Sequence, residues 1–251
     1  MSAWTTRRGS VLVVGHRGGR GEGWPAENTM PAFERAVSQG AKAVELDVRT
    51  CAGGEVVVFH DATLERMTQG RDLRRVEDVP AVALRSILLT GGAHVPLLSE
   101  VLGWARQRDV AVNVELKHDV PNRLALAEET ARVVKEAGAD VLFSSFDPLL
   151  LAMVSALALA LALPRALLVH GEQRMWADAL QAAARPPLVG ALHLERTQTS
   201  RRAIQRYLAR GLRLGVWTVN DPDEAAALAQ MGVASIITDH PGDVLAGLQP
   251  A

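Results

Sequence analysis

Short apolar runs recur along the chain at 11–15, 43–49, 55–59, 110–116, 140–144, 165–169, 189–194, 212–218 and 234–237, each of the length and character of a buried strand. Between most of them lie segments with helical periodicity: Pro31 to Ser38, Leu98 to Arg108, Arg123 to Ala137, a Leu/Ala run from Pro148 to Leu163, Gln173 to Ala184, Ser200 to Arg210, and Asp223 to Met231. The runs at 43–49 and 55–59 are too close for a parallel crossover, so they form an antiparallel hairpin turning at Gly53-Gly54. If that return is an excursion, eight strands remain. Eight βα units in 251 residues predict an α/β fold of the TIM (β/α)8 type, with a small hairpin and loop insertion after strand two. The competing fold is a doubly wound open sheet. The barrel is preferred because polar residues end strand after strand, whereas an open sheet concentrates them at its switch point. The expected organisation is one barrel domain over 1–251, with the insertion at about 50–95.

Alternation within the strands sorts the polar side chains. Glu45 and Asp47 leave one face of their strand while Val44, Leu46 and Val48 leave the other. If Ala52 faces Glu55 across the hairpin, Asp47 faces His60. In Val112-Asn113-Val114-Glu115-Leu116-Lys117 the apolar residues turn to the helices, and Asn113, Glu115 and Lys117 turn inward. Lysine occurs only at 42, 117 and 135 among 27 basic residues, which marks Lys117 as a considered choice over arginine. The competing reading is an internal Glu-Lys pair that plugs the barrel. Three carboxylates converging on one rim, about 4 Å apart, repel by about 4 kcal/mol per pair at an effective dielectric near 20. A cation belongs among them, and all-oxygen ligands suit Mg²⁺ or Ca²⁺ better than zinc, which would draw histidines into coordination.

The first loop, Gly15-His16-Arg17-Gly18-Gly19, sets His16 and Arg17 at the same rim, with glycines that allow close ligand approach. An arginine there suits a pair of phosphate oxygens. Asn28 or Thr29 either caps the next helix or contacts substrate. His193 and Glu195 share a strand face and either line the pocket or sit in the core, and Asp221 with Asp223 beside Pro222 starts a helix.

A net charge of −1 gives no general attraction to nucleic acid or anionic membrane, so phosphate recognition has to be local. One cysteine, Cys51, excludes an internal disulfide, and with no apolar leader in the first residues it suggests the cytoplasm. The Pro148–Leu163 run is too short to span a bilayer and reads as a helix capped by Asp147, apolar nearly all round. No transmembrane segment is expected; the outer face of the run is a candidate contact for a second copy or for weak lipid binding.

Taken together, these segments resemble the glycerophosphodiester phosphodiesterases. The resemblance lies in Gly15-His16-Arg17-Gly18, Pro25 with Glu27-Asn28-Thr29, Glu45-Leu46-Asp47-Val48, Phe59-His60-Asp61-Ala62-Thr63-Leu64-Glu65-Arg66, Asn113-Val114-Glu115-Leu116-Lys117, Ser144-Ser145-Phe146-Asp147, Trp217-Thr218-Val219-Asn220 and Thr238-Asp239 with Pro241. Residues 149–210 carry no distinctive match, and Met67 stands where the family often has threonine.

The resemblance implies metal-dependent hydrolysis of glycerophosphodiesters to sn-glycerol 3-phosphate and an alcohol. It gives Glu45, Asp47 and Glu115 to one divalent metal ion, His16 and His60 to general acid and base roles, and Arg17 and Lys117 to the phosphate. Trp217 resembles the aromatic contact to the glycerol end, with a core or rim tryptophan as the plainer alternative; Glu27, Asn28 and His193 are supporting candidates. Two other functions stay open. One is a lysophospholipase D-like activity, for which Trp24 and the 148–163 run would meet lipid. The other is a barrel that binds phosphorylated ligands without cleaving them.

Overall fold

The structure is a computed structural model and describes residues 2–5, 11–157, 163–171 and 190–249. Nine strands occur among these residues: β1 (Leu12–Gly15), β2 (Ala43–Thr50), β3 (Val56–Val58), β4 (Ala111–Leu116), β5 (Val141–Ser145), β6 (Arg165–Val169), β7 (Ala191–Glu195), β8 (Arg213–Trp217) and β9 (Ser235–Thr238). The helices are α1 (Met30–Ser38), α2 (Ala81–Leu84), α3 (Leu98–Gln107), α4 (Arg123–Ala137), α5 (Pro148–Leu157), α6 (Arg201–Leu208), α7 (Pro222–Gln230) and α8 (Pro241–Gly247). All strands but β3 pair in parallel and close on themselves, because β1 lies between β9 and β2. This is the expected TIM barrel and excludes the open sheet. β3 hangs antiparallel on the end of β2.

Each barrel strand is buried on both faces. One set of side chains, among them Val44, Leu46, Val112, Val114, Leu116, Phe143 and Leu214, packs outward on the helices. The inner set changes character along the barrel axis. At the amino end, small residues (Ala43, Ala111, Ala166 and Ala191) leave room that the indole of Trp4 fills. The turn carrying Trp4 is tied down by Asp140, whose carboxylate accepts from Ser2 Oγ and the Ala3 backbone N–H, both at 2.7 Å. At the carboxyl end the inner residues are polar. Helix ends follow ordinary rules: Asn122 caps α4, which stops at left-handed Gly138, and Asp221 caps α7 as the sequence suggests.

The hairpin register differs from expectation by one residue. Val48 pairs with Val58 and Thr50 with Val56, so Cys51 faces Glu55 and Asp47 faces Phe59, not His60. The cause is the turn. Ala52-Gly53-Gly54 forms a three-residue loop with both glycines at positive φ, where the sequence reading assumed a two-residue one. Between the hairpin and α3, residues such as Phe59, Leu64, Val76, Val79, Leu84 and Val95 build a small core of their own.

Two helices were not anticipated: α2, a single turn, and α8, which follows the last strand. In the Leu/Ala run, α5 covers Pro148–Leu157, and residues 158–162 and the expected helix at 173–184 lie outside the described residues. Among the described residues, no helix is long and apolar enough to cross a membrane.

Candidate active site at the carboxyl end of the barrel

His16, Arg17, Glu45, His60, Glu115, Lys117 and Trp217 line one cavity of about 290 Å³ at the carboxyl ends of the strands. The first loop is shaped by necessity. Gly18 has φ +86°, and a Cβ there would lie 2.6 Å from the Ala32 carbonyl carbon, so the chain turns tightly against α1. That turn aims His16 inward, where Asp239 Oδ1 lies 2.8 Å from its Nδ1, leaving Nε2 facing Glu45 at 4.0 Å. Asp239 is itself fixed: Asn220 donates to its carboxylate and accepts from its backbone N–H, and Arg20 Nε donates at 2.9 Å. His60 is built the same way, with Asp61 Oδ1 2.7 Å from its Nδ1 and Arg66 holding the other carboxylate oxygen. Each imidazole is thus held at Nδ1 by a carboxylate, which leaves Nε2 as the ring nitrogen open to another contact.

Glu45, Asp47 and Glu115 are all buried, and each offers an oxygen within 4.8 Å of the others. The parallel register accounts for this, since Asp47 sits beside Glu115 and Glu45 beside Asn113 on adjoining strands. Burial, then the Asp47 and Glu115 charges, push the Glu45 carboxyl well above the usual range. Burial alone would raise Asp47 too, but Lys117 and Arg17 outweigh it and hold Asp47 well below. Lys117 Nζ donates to Glu115 at 2.9 Å and to Asp47 at 3.3 Å. Arg17 bonds Glu27 at 2.8 Å, lies 3.1 Å from Asp47 without hydrogen-bond alignment, and gives its backbone N–H to Glu45. Burial also lowers the His16 pKa, more than Asp239 raises it.

The donor set suits a hard divalent cation. Three buried carboxylates with no imidazole among them form an oxygen-only cluster, and the Asp47 and Glu115 charges add to burial in raising the Glu45 carboxyl.

Other predicted residues take supporting positions. Asn28, at φ 59°, neither caps α1 nor faces the cavity: it donates to Asp47 Oδ2 at 2.9 Å and accepts the Asp47 N–H at 3.2 Å. Thr29 holds the N-cap position of α1, but its hydroxyl bonds the Ala26 carbonyl rather than the helix. Glu27 joins Arg17 to Arg66, and through Arg66 to Asp61 and His60. Trp217 lines the cavity, its Nε1 donating to the His193 carbonyl at 3.1 Å. The His193 ring is elsewhere. It lines a cavity of about 210 Å³ at the opposite end of the barrel with Trp4 and Ser235, and among the described residues its Nδ1 has no partner.

Asp239, Asn220, Asp61 and Arg49 were given no role from the sequence. Arg49 is buried; its Nε donates to the His60 carbonyl and its Nη2 meets Asp119 at 2.6 Å, tying the hairpin return to the loop after β4. The available signal for Asp239 was barrel closure, which sets Thr238 beside Gly15 and so brings the next residue to His16.

A model of the glycerophosphoryl diester phosphodiesterase family matches residues 16–243. The chain is 30% identical over 240 residues to a glycerophosphodiester phosphodiesterase of Caldanaerobacter subterraneus subsp. tengcongensis, covering 92% of this chain and 95% of that one. It superposes with a TM-score of 0.81 on a phosphodiesterase of Oleispira antarctica solved with the product sn-glycerol-3-phosphate, at 25% identity, covering 94% of this chain and 96% of that one. A glycerophosphodiester phosphodiesterase of Thermotoga maritima gives 0.78 at 27% identity, covering 97% of this chain and all (100%) of the other. A match that begins at the pinned histidine and runs through every wall of this cavity makes the chain a member of the glycerophosphoryl diester phosphodiesterase family.

Proposed function

We propose that this enzyme cleaves a glycerophosphodiester into sn-glycerol 3-phosphate and an alcohol, with His16 as general base and His60 as general acid. The observation that carries the reading is the pairing of two imidazoles, each pinned at Nδ1 by a carboxylate, on a cavity lined by Glu45 and Glu115 with Asp47 buried beside them. Glu45, Asp47 and Glu115 would hold the divalent cation. When bound, that cation neutralises charge on the non-bridging phosphate oxygens and acidifies a nearby oxygen nucleophile. Arg17 and Lys117 supply fixed positive charge on the same walls, so negative charge developing on the phosphoryl oxygens is stabilised beyond that of the ground state.

The histidine roles rest on where the rings stand. His60 lies on the wall this cavity shares with a second cavity, which would take the departing alcohol, whereas His16 lines only the first. His16 Nε2 therefore takes the proton of the attacking oxygen and His60 Nε2 delivers one to the leaving oxygen. Trp217 and Leu168 offer the glycerol arm an apolar wall.

Leaving-group dependence tests the division. With an alkyl diester, His60→Ala is expected to lose about 10²-fold or more in kcat, and much less with a p-nitrophenyl diester, whose leaving group needs no proton. His16→Ala is expected to lose on both. A His60→Ala loss that is the same on the two substrates contradicts the assignment.

A further inference from the structure

Next to the catalytic cavity lies a second one of about 380 Å³, lined by Arg49, His60, Asp61, Ala62, Lys117, His118, Asp119, Phe146 and His170. The two cavities share His60, Lys117 and Phe146. A phosphodiester has two arms, and a phosphorus held between the histidines sends one arm into each cavity. Given the glycerol 3-phosphate arm against Trp217, the second cavity receives the alcohol.

Its charges are already spent. Asp61 bonds His60 with one oxygen and Arg66 with the other. Asp119 accepts from Arg49 Nη2 with both oxygens, at 2.7 and 2.6 Å. Among the described residues, then, each lining carboxylate is already paired with an arginine, and Lys117 adds a further positive charge to the wall. Phe146 itself is partly exposed on the wall that the two cavities share. Its ring is packed edgewise with His118 at 6.3 Å, His170 at 5.5 Å and Trp217 at 5.6 Å between centroids. A quaternary ammonium is held best by a cage of several aromatic faces or by an unpaired carboxylate; among the described lining residues Phe146 is the one phenyl or indole ring, and Asp61 and Asp119 are both ion-paired. Among the described residues, the apolar lining is Ala62 and Phe146, which offers little to an alkyl chain.

What the cavity does offer is hydrogen bonding. The exposed imidazole of His118 offers two ring nitrogens for hydrogen bonding, and the carboxylate oxygens of Asp61 and Asp119 keep spare lone pairs. Groups that both give and accept hydrogen bonds around a ring edge match hydroxyls.

We infer that the second cavity is the leaving-alcohol site and that it selects an uncharged polyhydroxy alcohol, such as a glycerol, cyclitol or sugar, over a quaternary ammonium alcohol. This rests on the proposed cleavage to sn-glycerol 3-phosphate and adds the class of the other product. A site built to bond hydroxyls discriminates strongly against an arm that lacks them.

The test compares kcat/KM for glycerophosphoglycerol and glycerophosphoinositol with that for glycerophosphocholine, in the intact enzyme with Mg²⁺ or Ca²⁺ added. A preference of about tenfold or more for the polyol diesters is expected, and His118→Ala is expected to shrink that ratio severalfold. A ratio near one, or a preference for the choline diester, overturns the inference, and so does a ratio that His118→Ala leaves unchanged. Failure to cleave any of the three with either metal would instead overturn the underlying reading of the reaction.

Discussion

The individual side chains here are set by partners rather than by strand position alone. Both histidines carry a carboxylate at Nδ1, and replacing that acceptor-only group with an amide of the same size lets the ring turn and change tautomer. Asp239→Asn is therefore expected to lower kcat about 10²-fold with little change in KM, measured on any cleaved diester. His193 makes a different prediction. Burial pushes its pKa down to about 4 from an ordinary 6.5, so the folded protein keeps the ring neutral while the unfolded chain protonates it. Stability from this residue is complete above pH 6.5 and is lost as pH falls from there toward 4, a window worth about 3 kcal/mol. Urea unfolding across that range is expected to show the wild type losing about 3 kcal/mol more than His193→Leu; parallel curves would refute the point. Neither role was legible beforehand. His193 shares its strand face with Glu195, but the strand pattern does not say at what depth of the barrel a residue sits.

Among the elements, strands were the most readable. All nine runs became strands, because a strand buried on both faces leaves a nearly continuous apolar signature. Helix α8 was missed because it begins right after β9 at Pro241-Gly242, where the residues look like a terminating turn. The hairpin slip shows a sharper limit. One residue more in the turn, Ala52, moves every cross-strand pair by a residue, and the sequence Ala52-Gly53-Gly54 fits either count. His60 still reached the cavity because Arg49 grips its carbonyl and Asp61 its ring. The turn bearing Trp4 is an element with a structural task, filling the amino end of the barrel above four alanines. Trp4→Ala is expected to cost about 3–5 kcal/mol in chemical unfolding, while kcat at 20 °C stays near that of wild type, since the site lies at the opposite end.

At the scale of the molecule, a net charge of −1 conceals a strongly divided site: Glu45, Asp47, Glu115, Glu27 and Asp239 against Arg17, Arg20, Lys117 and Arg66. The barrel brings these together from strands far apart in sequence, which is why the residue types could be named early and their mutual contacts could not. A divalent ion bound only to the folded carboxylate cluster stabilises the fold by mass action, about 2.7 kcal/mol at a hundredfold excess over Kd. Tm is expected to rise with added Mg²⁺ or Ca²⁺, and Glu115→Gln to abolish most of that rise.

The central claim is that two pinned histidines act on a phosphodiester above those carboxylates. Its most direct measurement is release of sn-glycerol 3-phosphate from glycerophosphoglycerol by metal-restored enzyme after chelation, comparing wild type with His16→Ala and His60→Ala at matched Tm. The account predicts product from the wild type and rates lower by about 10²-fold or more in each variant; a near-wild-type rate from either would contradict it.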